Sequence, residues 1–307
     1  MRRSWVGGVL AAALLLGACG DPGPSEATPA PTPKTPTPDT TPPPPRPPTV
    51  RPRVAEKSRT KAPKVLYLGD SLAMENQTAL GDLLRAELGA RYTSAPYSGT
   101  TLCDYLDGTG DDSLVPDEDK AAALVRAQRP DVVVLQFWGN AWGYTPCMDG
   151  ITYDKARAKY FDRYAADAKA LTSQINDAAG GAGRTRVVWV LQGPDPITPD
   201  RVRRVNGIYE TQARTSGGIV ADAGRAVAPA SGRHTWVEKL PCTTYERNHP
   251  AYCTEPGRGR TALHRGDDYL HFCLAPTTAK SRPCPTRSPG IRRMAAEITR
   301  AVADARQ

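Results

Sequence analysis

The chain has only four histidines in 307 residues, no Cys-x-x-Cys pair, no internal repeat and no apolar run long enough to span a bilayer. The first two shortages leave little material for a zinc ribbon or finger, and the lack of a repeat excludes a solenoid. The most apolar stretch, Val9 to Leu16, falls well short of a transmembrane helix. A formal charge of +8 comes without any basic motif interleaved by aromatics, which argues against nucleic-acid recognition. Several of the cations sit in or beside one segment, at Arg46, Arg51, Arg53, Lys57, Arg59, Lys61 and Lys64, a pattern suited to anionic lipid or wall polymers or simply to a solvated linker.

What is present begins with Arg2-Arg3, a short apolar stretch and Leu16-Gly17-Ala18-Cys19. This reads as a secretory signal, residues 1–19, ending in a sequence that resembles a bacterial lipobox, with Cys19 the lipidated residue. Residues 20–62 are dominated by Pro and Thr, have almost nothing to bury and lack many backbone donors. They are expected to form an extended, disordered tether; about 40 residues in polyproline II form would reach ~120 Å. The expected location is therefore the outer face of a bacterial cytoplasmic membrane, within the cell envelope. Removing Cys19 leaves Cys103, Cys147, Cys242, Cys253, Cys273 and Cys284, an even number that suggests disulfides in an exported chain. The rival use, a zinc site of Cys242, His249, Cys253 and Cys273, lacks the usual ligand spacing.

Residues 63–307 are long enough for one domain with a substantial core. Nearly continuous β-branched runs at Val65–Leu68, Val132–Leu135, Val187–Leu191 and Ile219–Val220 predict strands buried on both faces of a parallel sheet. Between them lie helical stripes: Leu80, Leu83, Leu84 and Leu88; Tyr160, Tyr164, Ala168, Leu171 and Ile175; and Ile291, Met294, Ala295, Ile298 and Val302. Strands alternating with helices predict an α/β, three-layer α/β/α sandwich with a mostly parallel sheet.

Gly69-Asp70-Ser71-Leu72 follows the first strand directly, and a serine there is exposed at a strand-to-helix junction. The string alone arises by chance in on the order of one per cent of chains this long. Its companions are Gly99 in Tyr97-Ser98-Gly99-Thr100, Asn140 after the Val132 strand, and Asp268-Tyr269-Leu270-His271. Ser71, Gly99 (after a weaker strand at about 91–95) and Asn140 all follow strands, so all project to the carboxyl edge of a parallel sheet, where ligands bind.

As a set these blocks resemble the SGNH, or GDSL-type, serine hydrolase family. The resemblance implies the flavodoxin-like SGNH fold, ester or thioester hydrolysis and no metal or organic cofactor. It implies Ser71 as nucleophile, His271 as general base and acid, Asp268 as orienting carboxylate, and an oxyanion hole from the N–H groups of Ser71 and Gly99 with the Asn140 amide. Asp267 and His264 are the adjacent alternatives, His234 and His249 carry no partner pattern, and Asp222 reads as a cap or turn residue. Two departures stand out: Ala141 follows Asn140 where many members carry aspartate, and Ala73-Met74-Glu75 replaces the commoner continuation of the serine block. Cys103 and Cys147 each lie shortly beyond an oxyanion candidate and are the expected pair, with two more bridges among the four C-terminal cysteines.

Phe137-Trp138-Gly139-Asn140-Ala141-Trp142 surrounds this site with aromatics that serve either core packing or stacking on a sugar face. The leading expectation is an esterase, a monomer, acting on O-acyl groups of carbohydrate or envelope polymers. A glycan O-acyltransferase, a lipid esterase or lysophospholipase, and a catalytically silent envelope-binding lipoprotein are the alternatives. The loop 241–266, with its cysteines, is a candidate stapled lid.

Overall fold

A computed structural model describes residues 61–276 and 282–306. The signal, Cys19 and nearly all of the tether therefore lie outside the described residues. The order is β1 (Lys64–Gly69), α1 (Ser71–Leu88), β2 (Arg91–Ser94), α2 (Ala121–Gln128), β3 (Val132–Gln136), α3 (Arg157–Ala178), β4 (Arg186–Val190), α4 (Pro199–Ser216), β5 (Ile219–Ala221), α5 (Ala223–Ala226), β6 (Lys239–Pro241), α6 (Thr244–Asn248), β7 (Arg260–Ala262) and α7 (Pro289–Asp304), with short 3₁₀ turns between. β1 to β5 form one parallel sheet in the order β2-β1-β3-β4-β5, and β6 and β7 pair as a small antiparallel hairpin.

Alternation along the strands builds two cores. Leu66, Leu68, Val133, Leu135, Val187 and Trp189 face one way, onto Leu124 and Val125 of α2, the Tyr160–Ile175 stripe of α3, and Val205 and Tyr209 of α4. Val65, Tyr67, Val132, Val134, Val188 and Val190 face the other way, onto α1, α5 and α7. The fold is thus the three-layer α/β/α sandwich expected, and the α3 and α7 stripes are fully inside it. On the α1 stripe Leu80 and Leu84 are buried, while Leu83 and Leu88 are half-buried at its margin. Strand order reverses between β1 and β3, which makes the crevice beyond their carboxyl ends the natural ligand site.

Three disulfides, Cys103–Cys147, Cys242–Cys253 and Cys273–Cys284, consume every cysteine of the domain. They leave no thiolate for the zinc arrangement considered above. The 241–266 segment contains α6 and is stapled by Cys242–Cys253; its buried Glu246 is paired with Arg293 of α7, which fastens it to the sandwich. No helix among the described residues is long and apolar enough to cross a membrane.

Candidate active site

The turn from β1 into α1 is shaped by glycine and aspartate. A Cβ at Gly69 would lie 2.0 Å from the Gln136 carbonyl oxygen and 2.6 Å from Ala73 Cβ, so only glycine lets β1 and β3 close against the turn. Asp70 then caps α1: its Oδ1 accepts the Leu72 N–H at 3.0 Å, and its Oδ2 accepts the Trp138 N–H at 2.5 Å and Asn140 Nδ2 at 3.3 Å. This carboxylate is fully buried, and burial lifts its pKa to about 6 against the pull of those hydrogen bonds. Ser71 is the first residue of α1 and only partly exposed.

The other half of the site comes 200 residues later from a loop. Asp268 Oδ1 accepts the N–H groups of Leu270 and His271 at 3.1 and 3.0 Å, closing a tight turn. That turn points Asp268 Oδ2 at His271 Nδ1, 2.9 Å away, and His271 Nε2 at Ser71 Oγ, 3.0 Å away. Ser71, His271 and Asp268 thus form one continuous hydrogen-bonded chain. Burial raises the Asp268 pKa, but the hydrogen bonds from the His271 ring and the turn amides outweigh it and hold the carboxylate well below its usual range. For His271, burial pulls down; the Asp268 hydrogen bond and the charges of Glu75 and Asp70 prevail, and its pKa lies above the ordinary 6.5.

The rival residues have other tasks. Asp267 is exposed and pairs with Arg265 at 2.6 Å. His264 is buried, lies against Phe272 and Trp236, and its Nδ1 holds the His271 carbonyl at 2.9 Å, so it braces the loop from behind. His249 stacks on Tyr245, with its Nδ1 at the Tyr245 carbonyl, and Asp222 caps α5 and pairs with Arg233. Burial and the neighbouring Arg233 lower the pKa of His234, which keeps it neutral near pH 7.

The three oxyanion candidates converge on Gly69-Asp70-Ser71. Gly69 O accepts the Tyr97 N–H and the Tyr105 and Thr100 hydroxyls, which wraps the Gly99 loop around the serine turn. Among the described residues, the N–H groups of Ser71 and Gly99 have no hydrogen-bond acceptor. Glycine is needed at 99 for its φ of +81°; a Cβ there would meet nothing closer than the Tyr144 ring at 3.4 Å, so conformation and not clearance decides the residue. Asn140 is buried, its Oδ1 accepts Trp142 Nε1–H at 3.1 Å, and its Nδ2 donates to Thr100 O at 2.9 Å as well as to Asp70. Its amide is fully engaged and ties the three blocks together.

Sequence reasoning missed several supports. Trp138 lies parallel to the Trp142 ring and carries the Arg201 guanidinium 3.7 Å from its centroid. Arg201 is itself buried, paired with Asp195 at 3.1 Å and donating to the Trp138 carbonyl. The aromatic run therefore splits: Trp138 is packing, whereas Trp142 is 40% exposed and, with Tyr144 and Tyr269, offers open aromatic surface on loops that carry site residues. The signal available for Asp70 was its place just before a helical stripe; nothing marked Arg201, an arginine among three in a short segment.

No family model and no curated protein matches this chain. Similar solved structures include the lipopolysaccharide acetyltransferase periplasmic domain of Salmonella ser. Paratyphi A, at 12% identity and TM-score 0.48, covering 79% of this chain and 84% of that one. A carbohydrate esterase family 3 protein from Talaromyces cellulolyticus has 14% identity and TM-score 0.45, with coverage of 78% and 96%. The psychrotrophic esterase EstA of a Pseudoalteromonas species has 10% identity and TM-score 0.41, with coverage of 78% and 97%. The chemistry of this chain has to be read from its own residues.

Proposed function

We propose that the domain is an SGNH-type serine hydrolase of acyl esters. The observation that carries this reading is the closed chain Ser71–His271–Asp268 beside two unpaired N–H groups. In the first half-reaction His271 Nε2 takes the Ser71 hydroxyl proton while Oγ bonds the ester carbonyl carbon. The oxyanion faces the N–H groups of Ser71 and Gly99, and Asn140 joins them by releasing its longer contact to Asp70. Collapse expels the alkoxide, which leaves as an alcohol with the proton from His271. Water then repeats the sequence on the acyl-Ser71 ester and releases the carboxylic acid. Asp268 keeps the imidazole in the tautomer with its proton on Nδ1. No organic cofactor or metal enters these steps.

The favoured substrate is an O-acylated carbohydrate or envelope polymer, because Trp142, Tyr144 and Tyr269 offer exposed aromatic faces suited to a sugar ring, and the cavity between Trp138, Trp142, Ile197, Arg201 and Tyr269, about 100 Å³, is small for a long acyl chain. The proposal also includes export and lipid anchoring at Cys19. Hydrolysis of 4-nitrophenyl acetate by the oxidised protein beside Ser71→Ala tests the chemistry; equal background rates in both would overturn it. Acetylated oligosaccharides compared with long-chain esters test the substrate class, and adding a glycan acceptor separates hydrolysis from transfer. Cys19→Ala is expected to move the protein from the membrane fraction to the soluble one.

A further inference from the structure

The Ser71–His271 contact joins a helix to an irregular loop, and one residue on α1 holds that loop. Glu75 lies one turn after Ser71, on the same face. Its Oε2 accepts the N–H of Phe272, the residue after His271, at 3.1 Å. The main-chain oxygen of the same Glu75 accepts the Cys284 N–H at 3.2 Å. Both arms of the loop closed by Cys273–Cys284 are thus fixed to a single residue of the nucleophile helix. Asp268 governs how the ring of His271 is turned; Glu75 governs how far its backbone stands from Ser71.

We propose that Glu75 is a positioning residue of the active site, holding His271 at reach of Ser71 through the Phe272 and Cys284 amides and adding a second negative charge beside the imidazolium. This rests on the serine-hydrolase reading for its kinetic consequence, but not for its electrostatic one. The groups facing the pair are Asp268, Asp70, His264, Arg265 and the Tyr67 hydroxyl. Burial lifts the Glu75 pKa to about 7 despite the neighbouring His271, so its charge changes near neutral pH.

The test compares Glu75→Ala, Glu75→Gln and Ser71→Ala in the full chain, with kcat and KM for 4-nitrophenyl acetate across pH 5–9. The His271 imidazole is titrated by NMR in parallel, assigned by its loss in His271→Ala. Glu75→Ala is expected to lower kcat by about 10- to 100-fold with KM within about twofold, as for a lost transition-state alignment. Glu75→Gln, which keeps a carbonyl acceptor for the Phe272 amide, should recover most of that rate while moving the His271 titration and the rising limb of activity to lower pH. A wild-type rate in Glu75→Ala, or an unmoved His271 titration in Glu75→Gln, would overturn the proposal. If the wild type and Ser71→Ala are equally inactive, the hydrolase reading fails, while the His271 titration still decides the Glu75 interaction. Should Glu75→Ala fail to fold, Glu75→Asp, which keeps the charge but falls one methylene short of the Phe272 amide, supplies the kcat readout, with a wild-type rate overturning the positioning role, and Glu75→Gln supplies the His271 titration.

Discussion

The two halves of the Ser71–His271–Asp268 chain are held by different kinds of force. Ser71 and Asn140 sit just past β1 and β3, whose residues are buried on both faces, so the sheet fixes them with hydrophobic packing and a parallel ladder. Asp268 and His271 sit between β7 and α7, where the described residues form no strand or helix, and are fixed by a side-chain turn, His264 behind, Glu75 beside and one disulfide. A sheet edge tolerates the loss of a single polar contact; a loop held by a few hydrogen bonds does not. Precision at the nucleophile therefore comes from the fold, whereas precision at the base comes from individual residues.

This contrast can be broken most severely at the loop. Asp268→Asn preserves shape but favours the wrong tautomer, and kcat is expected to fall by about 10⁴-fold with binding nearly unchanged. Steady-state kinetics against 4-nitrophenyl acetate reads this directly. On the sheet side, Asn140→Ala should lower kcat by about 10²- to 10³-fold; it should also lower the melting temperature, because Asn140 links the Thr100, Asp70 and Trp142 contacts. A rate loss without destabilisation would show that its structural bonds are dispensable.

The disulfides sharpen the comparison. Cys103–Cys147 closes a separation of 44 residues and Cys273–Cys284 one of 11, which corresponds to about 4 and about 3 kcal/mol of chain-entropy stabilisation. Replacing the first pair by alanine should lower thermal stability more, and replacing the second should lower kcat more. Paired melting and kinetic measurements would reveal the opposite ranking if the loop were held chiefly by its packing.

The smallest effect is in pH. His271 must be neutral to accept the Ser71 proton, and its pKa lies above 6.5, so the rising limb of kcat/KM should lie above 6.5. Its ion pair adds stability that is complete below 6.5 and disappears as pH rises through the folded value. Asp268 acts in the opposite sense: its contribution is present above 3.8 and is lost as pH falls toward its depressed folded value. A pH–rate profile with its limb at or below 6.5 would contradict the charge environment described for His271.

β1, β3, β4 and the α3 and α7 helices were legible because their apolar periods coincide with the residues that are buried, whereas Ile219–Val220, expected to be buried on both faces, is the edge strand β5, with Ile219 half-buried and Val220 exposed. α4 was not foreseen, since its stripe of Val202, Val205, Tyr209 and Ala213 is thin and interrupted by charge, including Arg201, which is buried by pairing with Asp195. The Ser71, Asn140 and Asp268-x-x-His271 blocks were readable because strand ends and a three-residue turn are local events. Glu75 was not, since it appeared only as a departure after the serine block; its partners Phe272 and Cys284 are about 200 residues away and both contacts are from backbone amides, which carry no residue signature. The second role of Asn140, as the acceptor of Trp142 and donor to Thr100 and Asp70, was hidden for the same reason.

All five strands of the main sheet run the same way, and this gives the domain a polarity beyond catalysis. The polypeptide enters at Lys64, on the amino edge, and Ser71 lies past the opposite edge. A six-residue strand separates them, about 20 Å. The residue at which the sheet begins is thus at the pole opposite Ser71, so a surface attachment made at that point would leave the carboxyl edge open to ligand.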